Sequence, residues 1–312
     1  MTDERVRTVF LGSGGFGRET LRRLAGHDLV ALVGVVTAPA RPAGRRGANR
    51  DTAIADLARV LGVPAILTPE RLRAADSVAA VIALDPQLLV LADYGQIVPM
   101  PLLDLEHGAL NLHPSLLPRH RGATPMPSAI LADDAETGVT LMRMDAGLDT
   151  GPIVAQERLA LDGSETTPQL EATLEPMAAG LLERALGPWV RGEIVAQPQG
   201  EAGATLTRPL RREDGRLDPS RPAAELARQV RAYQPWPGSF VDTNVGRLVV
   251  RAGTAAPSPG ARPGRFDAIG LSTEDGTLRI DEVQPAGGRP MAWSAFLRGR
   301  PAILGSDVVR AG

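Results

Sequence analysis

Apolar residues change their spacing along the chain, and the change divides it. In the first half, short unbroken runs alternate with stretches of helical period. Residues 6–13 form an apolar run ending in glycine, and residues 18–26 follow with leucines at 21 and 24 in helical spacing. Residues 29–37 (LVALVGVVT) are rich in β-branched side chains, as expected of a strand covered on both faces. The same alternation predicts helices over 51–61 and 71–84, and strands over 64–67, 87–92 and 109–113. Strands over 138–144 and 152–161 and a long amphipathic helix over 168–186 close the pattern. This βαβα rhythm implies an α/β fold, a doubly wound and mostly parallel sheet with helices on both faces.

The texture then shifts. Residues 187–222 are rich in Gly, Pro, Gln and Arg with little periodicity, which fits a linker. A helix is predicted over 222–232. After it come short alternating runs at 239–242, 247–251, 264–269, 271–273 and 278–283, the pattern of a small β-barrel or sandwich. No internal repeat is present.

Composition narrows the chemistry. The chain has 312 residues, 43% of them hydrophobic, and no cysteine, which excludes disulfides, a thiolate nucleophile and any metal site that needs sulfur. All 34 cationic residues are arginine. Without lysine there is no Schiff-base chemistry and no phosphate-loop lysine. The net charge of −2 hides an asymmetry: residues 1–200 hold 18 Arg against 24 acids, and residues 201–312 hold 16 against 12. A basic C-terminal third suggests a polyanionic partner. No apolar run reaches membrane-spanning length and the N-terminus lacks a signal-peptide hydrophobic region, so a cytoplasmic protein with no membrane partner is expected. His27, His107, His113 and His120 form no recognisable ligand set, and no metal is expected.

Two motifs tempt and fail. Gly12-Ser13-Gly14-Gly15-Phe16-Gly17 satisfies the G-x-G-x-x-G dinucleotide fingerprint, but the second strand ends Val36-Thr37-Ala38-Pro39 without the acid that holds a ribose. NAD is not expected; the glycines permit a tight turn and close helix packing. Asp149-Thr150-Gly151 matches the aspartic-protease signature, which requires two facing carboxylates, yet only one copy occurs.

The informative stretch is 111–122 (NLHPSLLPRHRG), after a predicted strand of the open sheet. Ligands of such sheets bind at the carboxyl ends of strands. Asn111 and His113, two apart, share one face of an extended strand. The glycine-flanked loop 145–151 is able to bring Asp149 back against His113. An amide, an imidazole and a carboxylate without an activated nucleophile suggest direct acyl transfer. The amide and a protonated imidazole stabilise an oxyanion while the carboxylate helps move protons. Ser115 lacks the strained elbow of a serine nucleophile.

NLHPSLLPRHRGATP followed by ETGVTLMRMDAGLDTG resembles the 10-formyltetrahydrofolate-dependent formyltransferases. Within them, TAPARPAGR, ADYGQIVP, RAYQPWPGSF and VQPAGGRPM are most similar to the branch that formylates methionyl initiator tRNA. The resemblance implies a Rossmann-like catalytic domain over 1–189, a linker over 190–208 and an OB-like tRNA-binding domain over 209–312. It implies Asn111, His113 and Asp149 as the catalytic trio, and Ser115, Leu116, Leu117 and Pro118 as a wall against the folate. Arg41, Arg45, Arg46 and Arg50 in a Pro/Gly-rich loop, with Arg208, Arg211 and Arg212 in the linker region, are the expected tRNA contacts. The expected co-substrate is 10-formyltetrahydrofolate and the expected state a monomer. The alternative is a folate-dependent N-formyltransferase acting on an amino-sugar nucleotide. Four positions depart from the family pattern: Gly14 for proline, Ala40 for aspartate, His120 for tryptophan, and Leu217-Asp218-Pro219 for I-D-W.

Overall fold

The computed structural model describes residues 5–43, 48–258 and 262–309. They divide into two compact units. One comprises the described residues up to Pro125 with Glu136–Ala160 and Glu171–Thr207; the other comprises Met126–Ala135, Leu161–Leu170 and the described residues from Arg208 onward.

The first unit begins with β1 (Val6–Leu11), α1 (Arg18–Ala25) and β2 (Val30–Val36). A hairpin of β3 (Arg41–Ala43) and β4 (Ala48–Arg50) leads to α2 (Ala53–Val60), β5 (Ile66–Leu67), α3 (Ala75–Ile82), β6 (Leu88–Ala92) and α4 (Met100–Leu103). β7 (Ala109–His113) and β8 (Arg121–Gly122) follow, and then α5 (Pro125–Leu131), most of which falls in the second unit. β9 (Glu136–Arg143), β10 (Ile153–Ala160), α6 (Thr167–Val190) and β11 (Leu206–Thr207) complete this half of the chain. Seven strands form one sheet in the order β10-β9-β7-β6-β1-β2-β5. The last five are parallel; β9 runs antiparallel to β7, and β10 to β9. β6 is buried along its whole length, as its unbroken apolar run predicts. Strand order reverses between β1 and β6, so the carboxyl ends of the neighbouring strands open onto a crevice where ligands of such sheets bind. His113 is the last residue of β7 at that edge.

The glycine loop after β1 is packed for another purpose than a diphosphate. A Cβ at Gly14 would collide with the Asp93 carboxylate, and one at Gly15 with that of Glu171. Desolvation by the surrounding protein raises the pKa of Asp93, although the residue as a whole is exposed. Burial, with the charges of Asp93 and Glu175, raises that of Glu171. Carboxylates facing the loop repel the phosphates that a dinucleotide would bring. At the end of β2, buried Thr37 shares a hydrogen bond with Thr52, whose hydroxyl caps α2 by accepting from Ala55 N–H.

In the second unit, α7 (Ala223–Ala232) is followed by β12 (Ser239–Thr243), β13 (Gly246–Ala256), β14 (Gly270–Ser272), β15 (Thr277–Pro285), β16 (Met291–Ala292) and α8 (Trp293–Gly299). The strands form a curled antiparallel half-barrel, ordered β12-β13-β15-β14 with β16 beside β15. Irregular register in β13 between Val250 and Gly253 marks a bulge, which bends a strand and sharpens its twist. Leu226 and Val230 of α7 join Val241, Leu248, Ile280, Trp293 and Phe296 in the core. The predicted strand at 264–269 is reduced to single bridges at Arg265 and Phe266. Asp267 Oδ1 accepts from Ile269 and Gly270 N–H and turns the chain there. Helix α3 starts at Ala75 rather than 71 because Leu72 N–H is taken by Gln96 Oε1 at 2.7 Å. Neither α5 nor α8 was predicted from the apolar pattern.

Candidate active site

β7 ends at His113, and residues 114–120 loop back before β8. In the sheet register His113 stands opposite Thr140 of β9. Thr140 is fully buried and its hydroxyl holds the loop: it donates to Ser115 O (2.7 Å) and accepts from Leu117 N–H (3.1 Å) and Gln156 Nε2 (2.9 Å). Gln156 Nε2 also donates to Leu117 O. Buried Ser115 donates its hydroxyl to Arg119 O at 2.6 Å, which makes it a loop brace, not a nucleophile.

The loop returns through His120 at φ +58°, and His120 O accepts from His113 Nε2 at 2.9 Å. A carbonyl only accepts, so Nε2 carries a proton and the neutral ring keeps its lone pair on Nδ1. Nδ1 lies 3.6 Å from Asp149 Oδ2, with both side chains largely buried. The departure from tryptophan at 120 leaves this bond untouched, because the backbone makes it. The His120 ring is itself buried and lies 3.4 Å from the Thr205 hydroxyl.

Asp149 sits on the loop between β9 and β10. Asp145 Oδ1 organises that loop, accepting from Gly147 N–H (2.9 Å) and the Thr150 hydroxyl (2.8 Å). Asp149 has φ +52° and accepts from Gly122 N–H at 2.8 Å through the oxygen that faces His113. It therefore faces an imidazole rather than a second carboxylate. Asn111 lies two residues before His113 on β7 and is half-buried. Chemically the arrangement offers an amide donor beside an imidazole–carboxylate pair that can hold a proton between Nδ1 and Oδ2.

Of the expected folate wall, Ser115 and Leu117 are buried, and Leu116 and Pro118 retain half-exposed surface. Arg41 and Arg50 are exposed and stand directly opposite each other across the β3–β4 hairpin. Arg45 and Arg46 lie outside the described residues. In the second unit, Arg208 is engaged by Asp214 through two hydrogen bonds of 2.7 and 2.6 Å. The guanidinium holds the Asp214 carboxyl down to about 2. Arg211 and Arg212 are exposed.

The expectation of an unstructured connection misses the side chains that brace the site from residues 197–207. Gln197 exchanges backbone hydrogen bonds with Ile153, Thr205 Oγ1 accepts from His120 N–H, and Thr207 Oγ1 accepts from Thr124 N–H. The pairing of β11 with β8 adds to these. Among the described residues, no group of His, Asp or Glu is able to hold a metal ion, and no helix is long and apolar enough to cross a membrane.

Residues 6–186 match the formyl transferase family model, and residues 209–301 match its C-terminal domain. The chain belongs to the formyl transferase family. It is 41% identical over 301 residues to a methionyl-tRNA formyltransferase of Roseiflexus sp. (strain RS-1), covering 94% of this chain and 92% of the relative. It is 42% identical over 310 residues to that of Gluconacetobacter diazotrophicus, covering 96% and 99%. Among solved structures, the N-formyltransferase of Helicobacter canadensis, in complex with folinic acid and dTDP-3-aminofucose, shares the fold with a TM-score of 0.63 at 15% identity. That match covers 88% of this chain and 98% of the other.

Proposed function

We propose that the chain transfers the formyl group of 10-formyltetrahydrofolate to the free α-amine of methionine esterified to initiator tRNA, giving N-formylmethionyl-tRNA for translation initiation. The observation that carries this reading is the approach of His113 Nδ1 to Asp149 Oδ2 at the carboxyl edge of the sheet. It occurs in a chain about as similar over nearly its whole length to several methionyl-tRNA formyltransferases as to the two above.

The amine nitrogen attacks the formyl carbon, and the bond from that carbon to N10 of the folate breaks. Asn111 donates to the oxyanion of the tetrahedral intermediate. The proton lost by the amine passes to the Nδ1–Oδ2 pair, and from there to the departing N10. Protonation of Nδ1 leaves both ring nitrogens with acceptors, His120 O and Asp149 Oδ2, so the imidazolium has a place in the site. Such proton handling contributes typically about 10²–10⁴ in rate.

Leu116 and Pro118 supply apolar surface to the folate, with Ser115 and Leu117 fixing the loop that carries them. The body is assigned to 1–189, the connection to 190–208 and the tRNA-binding half to 209–312. Arg41 and Arg50 support tRNA binding by their placement: like charges directly opposite in a hairpin repel, and a phosphate between them relieves that cost. Arg45, Arg46, Arg208, Arg211 and Arg212 are assigned to the same backbone contacts. All are arginines, whose planar forks suit bidentate phosphate recognition. The protein is read as cytoplasmic, where initiator tRNA is charged, and as a monomer, since one chain supplies the whole trio.

The test is incubation with 10-formyltetrahydrofolate and methionylated initiator tRNA, followed by analysis for N-formylmethionine. Formylation of a dTDP-linked amino sugar, with none of the tRNA, would replace this reading by the sugar-directed one. The 15% identity to a solved sugar-directed enzyme gives that alternative little support.

A further inference from the structure

Gln199 carries no feature that singles it out in the sequence, yet its side chain reaches the loop that presents Asp149. Its Nε2 donates to two carbonyls, Asp149 O at 2.8 Å and Gly151 O at 2.7 Å. Its Oε1 accepts from Arg121 Nε at 3.1 Å. Arg121 is buried, and its neighbour Gly122 donates its N–H to Asp149 Oδ2. The contacts close a ring: the Asp149 backbone, Gln199, Arg121, Gly122 and the Asp149 carboxylate. Both ends of one residue are thus fixed to a common strut.

The strut has work to do, because Asp149 is held at φ +52°, a left-handed conformation that most side chains avoid and the surroundings must enforce. Gly151 adds a second constraint, since a Cβ there would collide with Arg143 O. We infer that Gln199 is a positioning residue for Asp149, fixing the backbone so that Oδ2 meets His113 Nδ1. The inference rests on Asp149 acting with His113 as proposed above. Gln199 acts through the backbone of Asp149 and hence through the angle of its carboxylate. A misplacement on the order of 1 Å costs about 10²-fold in rate when the reacting geometry depends on it.

The experiment is a double-mutant cycle in the full-length protein with Gln199→Met, Asp149→Asn and the pair combined. Gln199→Met keeps the length and removes both donors and the acceptor. Rates are measured in single turnover with methionylated initiator tRNA and divided by the fraction of sites that bind 5-formyltetrahydrofolate. Unfolded protein is thereby removed from the comparison. The expected result is a fall of about 10- to 100-fold in the single-turnover rate at saturating substrate for Gln199→Met, with the concentration of each substrate that gives half of that rate changed less than about twofold. In the Asp149→Asn background the same substitution then changes the rate by less than about twofold, because its target is gone. Gln199→Glu, which keeps an acceptor for Arg121 and loses both donors, reproduces the loss of single-turnover rate.

Equal losses in both backgrounds would overturn the inference and leave Gln199 a general support of the fold. A Gln199→Met variant of wild-type rate beside an inactive Asp149→Asn would also overturn it, with the catalytic trio intact. Wild-type activity in Asp149→Asn would instead remove the reading on which the inference stands.

Discussion

Replacing Asp149 by asparagine removes one negative charge and alters little else. The φ of +52° suits asparagine as well as aspartate, and an amide oxygen can still accept from Gly122 N–H. What disappears is the attraction between the carboxylate and a protonated His113 ring. At the observed 3.6 Å, with an effective dielectric of roughly 20, that attraction is about 4–5 kcal/mol. The side chains are only 5% and 13% exposed, so screening by solvent is weak. The term is absent while the ring is neutral and present when it takes up the amine's proton, so its loss falls on the transition state. About 4 kcal/mol corresponds to roughly 10³ in rate, within the usual range for acid–base help. Single-turnover formylation should therefore slow by about 10³. 5-Formyltetrahydrofolate should bind as in the wild type, and the thermal midpoint should stay near its original value. A rate within about tenfold of the wild type would refute the reasoning.

Further consequences follow from the braces and the displaced charges. Thr140→Val preserves shape but strips the hydroxyl from Ser115 O, Leu117 N–H and Gln156 Nε2; chemical denaturation should show a loss of about 1–3 kcal/mol, and no loss would mean the 115–118 loop is held otherwise. The raised pKa of Glu171 means that its ionised form is disfavoured in the folded state, so its stabilising contribution is lost as pH rises through the folded value. Thermal melts should find Glu171→Gln more stable than the wild type at pH 8, with the gain fading as pH falls toward 4.5; the opposite trend would contradict the burial argument. The Asp214 carboxyl is lowered instead, so its contribution is complete above the ordinary value of 3.8 and is lost as pH falls toward about 2. With Arg208 62% exposed, Asp214→Asn should cost no more than about 1 kcal/mol. It should also tighten tRNA binding by removing a carboxylate that competes with phosphate for Arg208, as read by filter binding at low salt; weaker binding would remove Arg208 from the contact surface.

The sheet was legible where burial on both faces leaves an unbroken apolar run, as in β6 and the last three residues of β2. Helix α3 and the 264–269 segment depart from the apolar pattern where a side chain, Gln96 or Asp267, captures backbone N–H groups and overrides local propensity. The two-residue spacing of Asn111 and His113 and the glycine-flanked Asp149 loop were readable because they rest on strand alternation and turn chemistry. Thr140, Gln156, Thr205 and Gln199 were not. Their roles depend on partners 16 to 85 residues away, and no local pattern encodes such pairings. Three of the four departures from the family pattern are intelligible only in three dimensions, and that at Ala40 has no structural explanation. Gly14 gives room to the Asp93 carboxylate, Leu217 joins the core of the half-barrel, and His120 contributes its carbonyl rather than its ring to His113.

Direct formyl transfer to methionyl-tRNA through His113 is open to a single measurement: labelled formyl is followed from 10-formyltetrahydrofolate to methionylated initiator tRNA in a single turnover, with wild-type protein and His113→Ala side by side. Labelled N-formylmethionyl-tRNA should form with the wild type and essentially none with His113→Ala, although the variant still binds 5-formyltetrahydrofolate. Transfer by His113→Ala at close to the wild-type rate, or no transfer by the wild type, would contradict it.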